Sequence, residues 1–179
     1  MVWRSNSTVA QVLCGPGGKD RTSEFLITQV KGKQVMAYNL IDQATNRVLD
    51  SNFDKNVYTS QPNGGEYQQW ILYSGPNGNI FVQDVATSLF LDGNGANVYM
   101  NSYNGGTFQQ WELQHPGGFQ FVLKHVESGQ VLDSNADGNV YFNSANGGNF
   151  QNWLLSNVVT EEELRSQLKA APPVPALLR

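Results

Sequence analysis

One block of about forty residues occurs three times in this chain, and such a repeat restricts the architecture more than any composition could. The first copy reads Val48-Leu49-Asp50-Ser51-Asn52, then Asn56-Val57-Tyr58, Asn63-Gly64-Gly65 and Gln68-Gln69-Trp70. The second reads Phe90-Leu91-Asp92-Gly93-Asn94, Asn97-Val98-Tyr99, Asn104-Gly105-Gly106 and Gln109-Gln110-Trp111. The third reads Val131-Leu132-Asp133-Ser134-Asn135, Asn139-Val140-Tyr141, Asn146-Gly147-Gly148 and Gln151-Asn152-Trp153. The tryptophans stand 41 and 42 residues apart. One copy is too short to bury its own apolar face, so the three must share a core.

Each copy opens with an alternating apolar run: Val35 to Ile41, Ile80 to Val85, and Phe119 to Val126. A turn, a strand ending in Leu-Asp, a polar loop, a Val-Tyr strand, an Asn-Gly-Gly turn and a tryptophan strand follow. That order predicts four short strands per copy and twelve in all. The 18 glycines and a charged fraction of only 15% agree with strands and tight turns. Three such units can close with pseudo-threefold symmetry, which also removes exposed strand edges. Strand alternation then separates two roles: with Val57, Val98 and Val140 facing the core, Tyr58, Tyr99 and Tyr141 face outward. Trp70, Trp111 and Trp153 are expected in the interior.

The Gln-x-Trp triplet, three times repeated with Leu-Asp upstream, resembles the ricin-type lectin family of β-trefoils. The fuller pattern of Leu-Asp-Ser-Asn, Val-Tyr, Asn-Gly-Gly and Gln-x-Trp is similar to its actinohivin-like branch. The resemblance covers about residues 35–156. It implies an all-β fold, a β-trefoil of three repeats (about 35–76, 77–116 and 117–156), flanked by an N-terminal extension, 1–34, and a C-terminal segment, 157–179. It also implies a carbohydrate-binding lectin with no cofactor and no catalysis, whose partners are glycans or glycoproteins bound multivalently, as in a hemagglutinin. Galactose or N-acetylgalactosamine is favoured by what the wider family binds, while the actinohivin-like branch implies mannose.

The residues themselves suit a sugar. A carboxylate accepts from neighbouring hydroxyls, an amide donates and accepts, and an aromatic ring offers a flat face. Asp50, Tyr58 and Asn63 supply this set in copy one, Asp92, Tyr99 and Asn104 in copy two, Asp133, Tyr141 and Asn146 in copy three. Gln68, Gln109 and Gln151 join the candidate binding residues, chiefly as groups that orient the aspartate. Tyr67 completes the first set; Phe108 and Phe150 stand in its place in the other copies and lack its hydroxyl. The Asp-to-Tyr spacing is 8 in copies one and three but 7 in copy two, where Gly93 also replaces the serine. Copy two is therefore expected to be the weakest. Copy one carries Lys55 in a tight turn where copy three has Gly138.

Other readings have less material. A formal net charge of −4 without a basic cluster excludes nucleic acid, which needs clustered Lys and Arg. No apolar run of about 18 residues is present to span a membrane as a helix. Asp133-x-Asn135-x-Asp137-Gly138 resembles the start of a calcium loop, but Ser144 stands where such a loop needs a bidentate glutamate. Cys14, the only cysteine, excludes an internal disulfide, and with His115 and His125 it forms no nucleophile motif. The alternative is a β-trefoil used as a protease inhibitor or protein-binding module. No secretory leader is visible, so cytoplasmic synthesis or leaderless export is expected, and the Asn6-Ser7-Thr8 sequon reads as incidental. Phe25–Val30 reads as an extra strand. Thr160-Glu161-Glu162-Glu163 is a capping box with Val159 and Leu164 as its staple, predicting a helix to about Lys169 before Pro172-Pro173. These extensions leave a homodimer open.

Overall fold

The computed structural model describes residues 7–11, 24–30, 33–156, 158, 160, 162, 163, 166, 169 and 172–174. Three strands, β1 (Ser7–Gln11), β2 (Glu24–Val30) and β3 (Lys33–Met36), form an antiparallel sheet of their own. Twelve more form a second sheet, four from each copy. Copy one supplies β4 (Leu40–Asp42), β5 (Val48–Ser51), β6 (Val57–Ser60) and β7 (Trp70–Ser74). Copy two supplies β8 (Ile80–Asp84), β9 (Phe90–Gly93), β10 (Val98–Asn101) and β11 (Trp111–Gly117). Copy three supplies β12 (Gln120–His125), β13 (Val131–Ser134), β14 (Val140–Asn143) and β15 (Trp153–Leu155). The predicted strand near Phe25 is β2, and the apolar run Val35–Ile41 divides between β3 and β4.

The first and last strands of every copy make a closed barrel. β7 pairs with β8, β8 with β11, β11 with β12, β12 with β15 and β15 with β4. The seam closes where Tyr38, just before β4, bridges Trp70 through two backbone hydrogen bonds of 2.9 and 2.8 Å. The middle strands form three hairpins, β5–β6, β9–β10 and β13–β14, that cover one end of the barrel. They lean on one another: Thr59 N–H donates to Gly138 O at 2.8 Å and Met100 N–H to Lys55 O at 3.0 Å. Only glycine fits at position 138, since its φ is +92° and an added Cβ would lie 2.6 Å from Thr59 O.

Trp70, Trp111 and Trp153 are wholly buried in this shared interior. Each indole N–H needs an acceptor once buried. It finds the carbonyl of the Leu in its own copy's Leu-Asp pair: Leu49 at 2.9 Å, Leu91 at 3.2 Å and Leu132 at 3.3 Å. One bond thus ties the tryptophan strand to the hairpin of the same copy.

A second row sits at the end of each copy's first strand: Asp42, Asp84 and His125. The Asp42 and Asp84 carboxylates accept from the hydroxyls of Thr45 and Thr87, both at 2.6 Å. His125 does the same work as a neutral ring. Its Nε2 lies 3.0 Å from Phe108 O, which can only accept, so Nε2 carries the proton. Nδ1 is then the acceptor for the Ser128 hydroxyl at 2.9 Å. Burial holds its pKa below the ordinary 6.5, outweighing the Phe108 bond and the charges of Asp92 and Glu127. The contribution to stability is therefore complete above about pH 6.5 and declines below it, because the unfolded chain takes up the proton first. The decline cannot exceed about 1.4 kcal/mol per pH unit. Urea unfolding of the wild type at pH 7.5 and 5.5 is expected to show this loss, and His125→Gln to be flatter over the same window. The comparison isolates His125 from Asp84, whose carboxyl burial raises above its usual range and whose contribution runs the other way. Equal pH dependence in the two proteins would refute this assignment.

At the C-terminal end, the predicted capping box is formed: Thr160 N–H donates to Glu163 Oε2, and Glu163 N–H to Thr160 Oγ1, both at 3.1 Å. Of the helix expected after it, only Glu162, Glu163, Ser166 and Lys169 lie among the described residues; each is helical, but they form no continuous helix there, and Val159 and Leu164 lie outside the described residues. Cys14 and Asn6 lie outside them too. From the prolines onward the chain docks on the barrel. Ser74 N–H donates to Pro172 O at 2.8 Å, Ser74 and Pro173 form a parallel bridge, and Val174 is buried with Ala37, Ile71, Tyr73, Phe81 and Phe90.

Candidate saccharide sites

The hairpin register sets the first two members of each site side by side. Asp50 stands directly opposite Tyr58, Asp92 opposite Tyr99 and Asp133 opposite Tyr141. Directly opposed residues share a face, with Cβ atoms about 5 Å apart. The tyrosines are half-buried at the surface. The aspartates lie deeper than the sequence suggested, with exposures of 4%, 2% and 3%. Buried carboxylates need donors, and the same glutamine supplies one each time. Gln68 Nε2 donates to Asp50 Oδ2 at 3.0 Å, Gln109 Nε2 to Asp92 Oδ2 at 2.9 Å and Gln151 Nε2 to Asp133 Oδ2 at 2.9 Å.

A relay continues from there. Each glutamine Oε1 accepts the backbone N–H of the asparagine: Asn63 at 2.9 Å, Asn104 at 2.8 Å and Asn146 at 2.8 Å. Each asparagine Oδ1 accepts the N–H of the second glycine, Gly65, Gly106 or Gly148, at 2.7 Å. The Asn-Gly-Gly turn is thereby fixed to the aspartate through one side chain. The glutamine ends a short 3₁₀ turn, Glu66–Gln68, Thr107–Gln109 or Asn149–Gln151, which points it inward two residues before the core tryptophan.

The surroundings of the glutamine and the asparagine narrow what each can offer a ligand. Gln68, Gln109 and Gln151 are 0%, 0% and 1% exposed, so they orient the carboxylate from behind and offer an arriving ligand no surface. The asparagine amides remain exposed, but their oxygens are committed to the turn, which leaves the Nδ2 groups as the outward donors. The sequence reading also missed one position per copy. Ser60 Oγ donates to Asp50 Oδ2 at 2.6 Å, Asn101 Nδ2 to Asp92 Oδ2 at 3.3 Å and Asn143 Nδ2 to Asp133 Oδ2 at 2.9 Å. The signal was there: a polar residue two places after every tyrosine, on the same face of the strand.

The copies diverge in detail. Asp50 and Asp133 each accept a further N–H on Oδ1, from Ser51 and Ser134 at 2.8 Å. Asp92 has no such bond, and its Oδ1 is buried without a partner. The Tyr58 and Tyr141 hydroxyls donate to Ser51 O and Ser134 O, at 3.3 and 3.0 Å. Burial and then the neighbouring aspartate charge raise the pKa of all three tyrosines, so each hydroxyl stays a donor at neutral pH. Around copy one, Tyr67 packs edge-on against Phe53. The calcium-like sequence is a turn, with Asn135 Oδ1 already accepting the N–H groups of Asp137 and Asn139 at 3.0 Å.

A family model described as the ricin-type β-trefoil lectin domain matches residues 36–153. Among solved structures, the designed threefold-symmetric protein ThreeFoil is 30% identical, over 68% of this chain and 99% of its own, with a TM-score of 0.63. The exo-β-1,3-galactanase 1,3Gal43A from Clostridium thermocellum is 23% identical over 69% of this chain and 30% of its own, with a TM-score of 0.61. SeviL, solved bound to asialo-GM1 saccharide, is 18% identical over 68% of this chain and 96% of its own, with a TM-score of 0.60. At those identities the last two speak for the fold alone.

Proposed function

The chain belongs to the ricin-type β-trefoil lectin domain family, and from that premise we propose that it is a multivalent lectin with one saccharide pocket on each hairpin. The observation that carries the reading is the relay repeated in all three copies, carboxylate to glutamine to asparagine turn, beneath a half-buried tyrosine. A scaffold that binds protein through one loop has no use for the same polar set in triplicate.

In this reading the aspartate accepts from sugar hydroxyls, which compete for Oδ2 with the outer donors Ser60, Asn101 and Asn143. The tyrosine ring takes the C–H face of the pyranose, and the asparagine Nδ2 donates from the rim. The ligand is a terminal hexose, with galactose or N-acetylgalactosamine ahead of mannose on what the wider family binds. Copy two is the weakest site, since its turn is one residue shorter and Asp92 lacks the backbone donor that steadies the other two carboxylates. Weak single sites on one surface gain avidity of about 10²–10⁴ when they engage a common glycan-bearing surface.

A glycan array followed by calorimetry on the full chain tests this. Binding to terminal hexoses with more than one site per chain is the expected result. An array without a saccharide ligand, combined with inhibition of a serine or cysteine protease, would overturn the lectin in favour of an inhibitor on the same scaffold.

A further inference from the structure

The copy-one turn carries a side chain that the other copies lack. Phe53 stands where copy two has Gly95 and copy three Ala136. It is 71% exposed, the largest value among the exposed large hydrophobics of the described residues, so folding gains little from it there. Its ring is nevertheless held. It meets Tyr67 edge-on, with centroids 5.5 Å apart and planes at 89°. The turn beneath it is fixed by Lys55 N–H donating to Asn52 O at 3.0 Å and Asn56 N–H to Asn52 Oδ1 at 3.1 Å. Tyr67 directly precedes Gln68, whose Nε2 donates to Asp50 Oδ2 at 3.0 Å, and Tyr58 stands opposite Asp50. The Phe53–Tyr67 pair is thereby tied by the backbone to the carboxylate of the copy-one pocket.

We propose that Phe53 and Tyr67 form a second saccharide subsite beside the copy-one pocket, so that copy one takes an oligosaccharide of at least two sugar residues. Copies two and three take only the terminal residue. The inference rests on the lectin reading above and adds the ligand class for one site. An aromatic face carries partial negative charge and suits the C–H face of a pyranose. The Tyr67 hydroxyl can donate to or accept from a hydroxyl of that second residue. A sugar already tethered by the first incurs little further loss of translational freedom, so a preformed aromatic surface converts efficiently into affinity.

Calorimetry on the full chain tests the subsite, using the methyl glycosides of galactose, N-acetylgalactosamine and mannose and the homodisaccharide of each. For the sugar that binds, one site per chain is expected to gain about five- to tenfold from the second residue, the size of an aromatic contact, while the other sites gain nothing. Phe53→Ala removes that gain and leaves monosaccharide affinity in place; Phe53→Trp keeps it. Equal affinity for monosaccharide and disaccharide in the wild type, or a gain that survives Phe53→Ala, overturns the subsite while the lectin stands. Failure of all six ligands to bind overturns the lectin reading and the subsite with it.

Discussion

Trp70→Ala is expected to lower the free energy of unfolding by about 3–5 kcal/mol, the range for deleting a large aromatic from a packed core. Trp70 is fully buried, and its removal leaves a cavity at the point where the barrel closes on Tyr38. The loss also takes the donor from Leu49 O, the bond that ties β7 to the β5–β6 hairpin. Against a typical total of about 5–15 kcal/mol, such a loss consumes much of the stability of the domain. Trp70→Phe separates the two terms, since it retains most of the apolar surface but not the N–H; its cost should be nearer 2 kcal/mol. Urea unfolding with a check on constant slope gives both values. Pseudo-threefold construction predicts costs of similar size for Trp111→Ala and Trp153→Ala. An alanine variant that lost less than about 2 kcal/mol would refute a core shared by the three copies.

The threefold plan was legible because a repeat announces itself at every level at once. Spacing fixed the strand order, alternation separated the inward valines from the outward tyrosines, and size placed the tryptophans inside. The reach of one side chain to another was not legible in the same way. Gln68 was foreseen as an orienting group, but its burial depends on a 3₁₀ turn that the letters Glu-Tyr-Gln do not declare. Gly93 shows a subtler limit. Its absence of a side chain looked like a local change in site two, yet the structure gives it a long-range cause. An added Cβ at Gly93 would lie 2.3 Å from the Phe142 ring, which reaches across from copy three and stacks on Trp111. His125 belongs to the same departure, packing 4.7 Å from Phe142 where the other copies have Asp42 and Asp84. One cluster of substitutions, scattered over fifty residues of sequence, thus reshapes the junction between copies two and three. Docking of the C-terminal segment was equally hidden, because Val174 carries no signal beyond being apolar.

The aspartates bear the largest expected effect on function. Asp50→Asn, Asp92→Asn and Asp133→Asn together should abolish saccharide binding in calorimetry. Each single change should remove one site and leave the others. An amide matches the carboxylate in size but withdraws the charge that makes its hydrogen bonds strong, a loss of about 1–1.5 kcal/mol for each bond to the sugar. At 1.4 kcal/mol per decade that is about 5- to 12-fold in affinity per bond, multiplied where the carboxylate takes two hydroxyls. Asparagine is preferable to alanine here, because alanine would deprive Gln68 Nε2 and Ser60 Oγ of a buried acceptor and confuse folding with binding. The copies should differ in what the change costs: Asp50→Asn and Asp133→Asn each lower total binding more than Asp92→Asn, which removes the weakest site. On a glycan-coated surface the effect is steeper than in solution, since each lost site also removes an intramolecular partner from the remaining ones. Retained binding in the triple variant, with an unchanged unfolding midpoint, would place the sugar elsewhere on the molecule and leave the buried relay a purely structural device.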